Sequence, residues 1–242
     1  MAATTPRSES DRQIDYPTSD GRPMGETETH VNALMDLLQT LRAHFAADPM
    51  VYVGGNMLLF YERGNRRKHI SPDVFFVRGV EKRADTPRDY YLLWDEGKGP
   101  DVVIELTSRS TRSEDQKKKK ALYRDVVRVA EYFLFDPKED YLKPPMQGYR
   151  LVEGVYVPIE LVEGRLPSVA LGLHLERAGT ELRLYDPATG RRLPTTHERA
   201  AEAEAERRRA DDAERRAHAA EAEVERLRRE IEAMRRGPSG PS

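Results

Sequence analysis

Apolar residues recur three and four apart at Val31, Leu34, Leu37, Leu38, Leu41 and Phe45, which predicts one helix with a single buried stripe from about Glu26 to a stop at Asp48-Pro49. The period then changes to that of strands. Met50 to Tyr61 is apolar with a bend or bulge at Gly54-Gly55, and Ser71-Pro72-Asp73 opens the short run Val74 to Val77. Proline is tolerated there because a first strand position can do without its ladder N–H. Gly97, Gly99 and Pro100 precede a third run, Asp101 to Leu106, and Ser110, Thr111 and Ser113 offer N-caps for a helix over roughly 114–127. Glu131 to Phe135 is a further apolar strand, stopped by Asp136-Pro137. Helix, three strands, helix, strand is the order of an α/β core with mixed pairing and a crossover. Residues 146 to 187 hold short strand-like runs split by Gly and Pro, which predict added β-hairpins.

The two ends of the chain differ from this core. Residues 1–23 mix Ser, Thr, Pro, Asp and Arg with little to bury and are expected to form a flexible arm, leaving 24–195 as the α/β domain. Residues 196–236 are rich in Ala, Glu and Arg, and 237–242 are expected to be disordered. In the tail, Ala203, Ala210, Ala213, Ala217, Ala220, Val224, Leu227, Ile231 and Met234 form a heptad seam interrupted at Glu206. With Val224 and Ile231 at a, Leu227 and Met234 fall at d, the arrangement that favours parallel dimers. The g-to-e pairs such a dimer would make are Glu202–Arg207, Arg209–Glu214, Arg216–Glu221, Glu223–Arg228 and Glu230–Arg235, every one opposite in sign. The expectation is a homodimer through residues 203–235. A lone charged helix held by i,i+4 pairs is the alternative.

Composition narrows the function. Of the 242 residues 34% are charged and the mean hydropathy is -0.75, yet 40 Lys+Arg nearly cancel 42 Asp+Glu, so no overall basic field draws in nucleic acid. Cysteine is absent, which excludes disulfides, thiolate metal sites and a thiol nucleophile. No apolar run approaches the length of a membrane span and the N-terminus lacks a signal-peptide core, so the expectation is a soluble cytoplasmic protein. The six histidines have no HExxH-like spacing, and no GxGxxG, GxxxxGK[ST] or GxSxG string occurs.

What remains is a set of carboxylates and lysines on neighbouring elements. Asp73 begins one strand, Glu105 lies inside the next, and Lys117 to Lys120 occupy the helix after it. Two carboxylates on adjacent strands repel unless a hard cation lies between them, and Mg2+ takes one or two carboxylates with waters and phosphate. A nearby lysine can orient or deprotonate water and stabilise charge on a phosphorane. Taken alone, Pro-Asp at a strand start makes an Asx turn and a lysine run is a solvated face. Glu105 weighs more, because an unpaired charge within Val-Val-Ile-Glu-Leu is expensive to bury.

Ser71-Pro72-Asp73-Val74, the string Pro100 to Thr111, Asp115 followed by Lys119 and Tyr123, and Glu131 to Pro137 together resemble the Uma-two family of “putative restriction endonucleases”, a branch of the PD-(D/E)xK nucleases. The resemblance spans roughly residues 25 to 190. It implies a restriction-endonuclease-like αβββαβ core, Asp73 and Glu105 as metal-binding carboxylates, and Lys119 as the catalytic lysine, with Mg2+ or Mn2+ as cofactor and DNA as substrate. The superfamily's basic residue normally sits two after the glutamate, where this chain has Thr107; the resemblance implies that its role has moved to the helix. Asp101 lies about 13 Å along the strand from Glu105, too far to share one ion. Asp101, Glu28, Gln116 and Tyr123 are candidates to hold those site residues in place.

Basic residues flank this arrangement. Arg66, Arg67 and Lys68 precede Asp73, while Arg109, Arg112, Lys117 and Lys120 follow Glu105, and all are expected to contact phosphates. Nothing resembles a base-reading helix. The expected activity is metal-dependent endonucleolytic hydrolysis of DNA. The alternatives are a non-catalytic scaffold recruiting a partner through its coiled coil, and a nuclease acting on RNA or branched DNA.

Overall fold

The computed structural model describes residues 16–19, 27–83, 85–107 and 114–236. The expected arm 1–23 apart from 16–19, the N-caps Ser110, Thr111 and Ser113, the basic residues Arg109 and Arg112, and the expected disordered end 237–242 lie outside them, as do the side chains of 114–116. The chain divides into two units, residues 1–195 and 196–242.

Helix α1 (Glu28–His44) starts where the Thr27 hydroxyl accepts from the His30 N–H (3.3 Å), with Glu28 in the first turn and Arg42 and His44 in the last, each complementing the helix dipole. It ends at Phe45, before the expected Asp48-Pro49 stop, where the Lys82 ammonium donates to the carbonyls of Phe45 and Ala46. Leu34, Leu37, Leu38 and Leu41 form the buried stripe, whereas Val31 lies off it and is exposed.

The strands in chain order are β1 (Val51–Gly55), β2 (Leu59–Phe60), β3 (His69–Ile70), β4 (Val74–Arg78), β5 (Tyr91–Leu92), β6 (Val102–Leu106), β7 (Glu131–Phe135), β8 (Met146–Val152), β9 (Val155–Pro158), β10 (Arg165–Ser168), β11 (Leu173–Ala178), β12 (Glu181–Asp186) and β13 (Arg191–Arg192). A six-stranded sheet has the order β1-β4-β6-β7-β8-β9, parallel only between β6 and β7. The helical segment 114–127 links that parallel pair, as a parallel connection requires. It is π-helical over Glu114–Lys119 and Tyr123–Val127 and α-helical over Lys120–Leu122. The fold is mixed α/β with an αβββαβ core, as the sequence predicts, and β8 to β13 are the added hairpins.

The expected single apolar run Met50 to Tyr61 is two strands in different sheets, because Asn56 turns the chain in a left-handed conformation at φ 49°. Both faces of the main sheet are covered. One packs Val53, Phe76, Ile104 and Phe133 against α1 and the sheet β10-β11-β12-β13. The other packs Phe75, Val103, Tyr132 and Leu134 against Tyr123 and Val127 of the 114–127 segment and Leu59 and Tyr91 of the small sheet β3-β2-β5. Every residue of β6 is therefore buried, which suits a near-continuous apolar strand.

Tyr16, inside the stretch expected to be an arm, is buried among Phe60, Tyr90 and Trp94, and its hydroxyl accepts from the Gly64 N–H at 3.0 Å. One aromatic ring gives that stretch something to bury.

The described residues of the second unit form the helix Thr196–Arg236. Pairs three and four apart, such as Arg228–Glu225 and Arg208–Glu204, lace its surface, and Val224, Leu227, Ile231 and Met234 are exposed along it. No described helix is long and apolar enough to cross a membrane.

Candidate active site

The β4–β6 register pairs Val74 with Ile104 and Phe75 with Val103, so its next step sets Asp73 across from Glu105. Both carboxylates belong to the face that carries Phe75 and Val103, beneath the 114–127 segment. Glycine at position 55 allows the close approach of chains beside them: a Cβ there would lie 2.7 Å from the Asp73 carbonyl. The Asn56 N–H donates to the carbonyls of Pro72 and Asp73 (3.0 and 3.1 Å), which fixes the entry to β4.

Glu105 is 0% exposed, and each of its oxygens has a donor from the covering segment. The Lys119 ammonium donates to Oε2 at 2.9 Å and the Tyr123 hydroxyl to Oε1 at 2.6 Å. Lys119 and Tyr123 are four apart, one helical turn, which is why one face of the segment delivers both donors. Lys119 also reaches the Ser71 carbonyl at 3.4 Å, bridging the strand that holds Glu105 and the turn that holds Asp73. Burial, and then the charge of Glu105, push the Tyr123 phenol well above its ordinary pKa, so it remains a donor.

Asp73 is the more open carboxylate, with its side chain 17% exposed. The Leu106 N–H donates to its Oδ2 at 2.7 Å, and His30 Nε2 lies 3.9 Å from its Oδ1. His30 escaped the sequence reading, which looked for acids near the start of α1. Its only signal was its place one turn from Leu34 on the inward side of the helix. Glu28 is exposed beside a different cleft, with Asn32, Asp36, Glu181 and Arg183.

The other candidates divide. Asp101 accepts from the Arg78 N–H at 2.7 Å and pairs with Lys98 at 2.8 Å, fastening the opposite end of β6. The Lys120 ammonium sits 3.1 Å from the centre of the Tyr149 ring, and burial lowers its pKa. Lys117, Lys118, Arg66, Arg67 and Lys68 are exposed. Gln116 lies at the start of the covering segment.

No group of three His, Cys, Asp or Glu side chains that could hold a metal occurs among the described residues. Carboxylates set across a strand pair are the kind of oxygen donor that a hard divalent cation takes alongside waters. Among the described residues the buried Thr107 hydroxyl, two residues beyond Glu105, has no hydrogen-bond partner.

The family model Uma2, described as “Putative restriction endonuclease”, matches residues 4–182. Among solved structures, the chain is similar to a “putative nuclease belonging to DUF820” from Anabaena variabilis, at 14% identity, covering 68% of this chain and 91% of that one with a TM-score of 0.46. No curated protein matches it.

Proposed function

We propose that this chain, which belongs to the Uma2 family of “putative restriction endonucleases”, is a divalent-metal-dependent endonuclease that hydrolyses phosphodiester bonds of DNA at Asp73, Glu105 and Lys119. Membership supports a nuclease. The observation that carries the finer reading is the convergence of Lys119 and Tyr123 on a fully buried Glu105, with Asp73 across the strand pair.

In this reading Asp73 and Glu105 hold the ion, Mg2+ by preference with Mn2+ as a substitute. When bound, it supplies positive charge to the phosphate oxygens, which lowers the cost of the phosphorane. Tyr123 fixes the rotamer of Glu105, and the Leu106 N–H fixes that of Asp73. Lys119 holds its ammonium at the edge of the pair, where it can orient the attacking water and stabilise negative charge as it develops. His30 stands beside the Oδ1 of Asp73. Exposed Arg66, Arg67, Lys68, Lys117 and Lys118 supply sequence-blind phosphate contacts.

We further propose that the C-terminal helix pairs with a second copy in parallel. The exposed apolar residues Val224, Leu227, Ile231 and Met234 support this, as does the opposite sign of all g-to-e pairs. Two single-strand cutters would then be tethered.

The test is incubation of supercoiled plasmid, linear duplex and RNA with the purified chain in Mg2+, Mn2+ or EDTA. DNA cleavage in either metal and none in EDTA is expected, together with a rise in melting temperature on adding metal. A folded protein that neither cuts nor responds to metal would make it a binding scaffold, and cleavage of RNA alone would replace the substrate.

A further inference from the structure

The loop joining β2 to β3, residues 61–68, holds Arg63, Arg66, Arg67 and Lys68, all exposed, against one acid, Glu62. β3 ends at Ile70, and the chain reaches Asp73 through Ser71 and Pro72. The Ser71 carbonyl is the one that Lys119 meets at 3.4 Å. The loop is therefore rooted beside the candidate active site.

Its own means of keeping a shape are few. β2 and β3 pair only through Leu59 with Ile70 and Phe60 with His69, and a hairpin that short is marginal by itself. The crowded like charges repel and favour an open loop. Inside it Asn65 makes the main ties, donating to Glu62 Oε1 at 2.9 Å and accepting from the Arg67 N–H at 3.1 Å. Gly64, left-handed at φ 81°, is tied from outside: its N–H donates to the Tyr16 hydroxyl at 3.0 Å.

Tyr16 is 4% exposed, and its ring meets Phe60 edge-on at 4.9 Å between centroids, with Tyr90 and Trp94 at 5.9 and 5.6 Å. Phe60 in turn packs on His69, its partner across the hairpin, at 5.3 Å. One side chain from far along the sequence thus seats its ring on the root of the hairpin and its hydroxyl on the loop. We infer that Tyr16 is a positioning residue for nucleic-acid binding: it braces loop 61–68 in the conformation that turns its cations toward the phosphates flanking the bond to be cut. This rests on the reading of the adjoining site as a nuclease. A residue that served only to fill the space beside Phe60 would need the ring and not the hydroxyl, so Tyr16→Phe separates the two roles.

The test compares the full chain with Tyr16→Phe. Hydrogen exchange over 61–68 is expected to quicken about three- to tenfold in the variant. Fluorescence anisotropy with a labelled DNA duplex in EDTA, where no cutting competes, is expected to show affinity lower by about the same factor and a shallower dependence on salt. In Mg2+ or Mn2+ the loss is expected in KM rather than kcat. Tyr16→Ala, which also removes the ring, is expected to lose more affinity and to melt lower. Unchanged affinity and salt dependence in a folded Tyr16→Phe protein would overturn the inference, whether or not its melting temperature falls, and so would a loss confined to kcat. If the unaltered protein cuts and Tyr16→Phe binds and cuts alike, only the bracing role falls. If the binding signatures appear and neither protein cuts in any metal, only the nuclease reading falls.

Discussion

Lys119 Nζ donates to Glu105 Oε2 at 2.9 Å, from a helix rather than from the strand that carries the glutamate. The covering segment passes over the end of β6, so a side chain of lysine length reaches the carboxylate from above. The neighbouring lysines leave on other faces, as helical spacing requires. Lys119→Met is therefore expected to reduce cleavage by about a thousandfold or more, while Lys120→Met, which removes only the contact with the Tyr149 ring, keeps most of it. Plasmid cleavage rates of the two proteins check this. The reverse ranking would move the role to Lys120.

Tyr123→Phe takes away the hydroxyl that donates to Glu105 Oε1 and leaves a buried carboxylate oxygen without that donor. A stability loss of about 1–3 kcal/mol is expected, along with a fall of about 10–100-fold in metal affinity or cleavage. Thermal unfolding and metal titration measure the two effects separately.

The same residue sets an alkaline limit. Its folded pKa is raised above the ordinary 10.0, by burial first, so the folded protein keeps a proton that the unfolded chain loses. The stabilisation this provides is complete below pH 10.0 and disappears as pH rises toward the folded value. Melting temperature is expected to fall above that pH, and less steeply in Tyr123→Phe. Tyr91 and Tyr156, also raised by burial, act in the same direction and limit how much one substitution can remove.

Glu131 is a buried acid outside the candidate site. It is 2% exposed, accepts from Arg150 and from the N–H groups of Val169 and Ala170, and binds the Ser168 hydroxyl, tying β7 to the turn after β10. Glu131→Ala is expected to cost about 1–3 kcal/mol, since it strands the buried Ser168 hydroxyl and two part-buried N–H groups while the half-exposed Arg150 stays solvated. Denaturant unfolding gives the value, and a change below 1 kcal/mol would mean that the turn finds other partners.

Leu227→Glu combined with Ile231→Glu introduces like charge on the proposed seam of the C-terminal helix. Solution mass by light scattering is expected to correspond to a dimer for the unaltered chain and a monomer for this variant. The same mass in both would place any interface elsewhere.

The elements of the core could be read from periodicity and punctuation, because α1, β4, β6 and β7 are buried strongly and each has a clear stop. Glu105 could be read because a charge inside an apolar strand demands partners. The split of Met50 to Tyr61 between two sheets could not, since it depends on a left-handed turn at Asn56, a residue that many loops accept. His30 stayed hidden because its relation to Asp73 depends on how α1 crosses the sheet, a tertiary distance with no local trace. Arg42, Lys82 and Arg88 come from separate segments and line one groove beside β1, a meeting that likewise leaves no local trace.

The most direct test of the central claim compares the unaltered protein with Glu105→Gln and Asp73→Asn for metal-dependent plasmid cleavage, after circular dichroism and melting have shown all three to be folded. The account predicts cutting by the unaltered protein in Mg2+ or Mn2+ and background rates for both variants. Cleavage at the unaltered rate by a folded Glu105→Gln protein would contradict it.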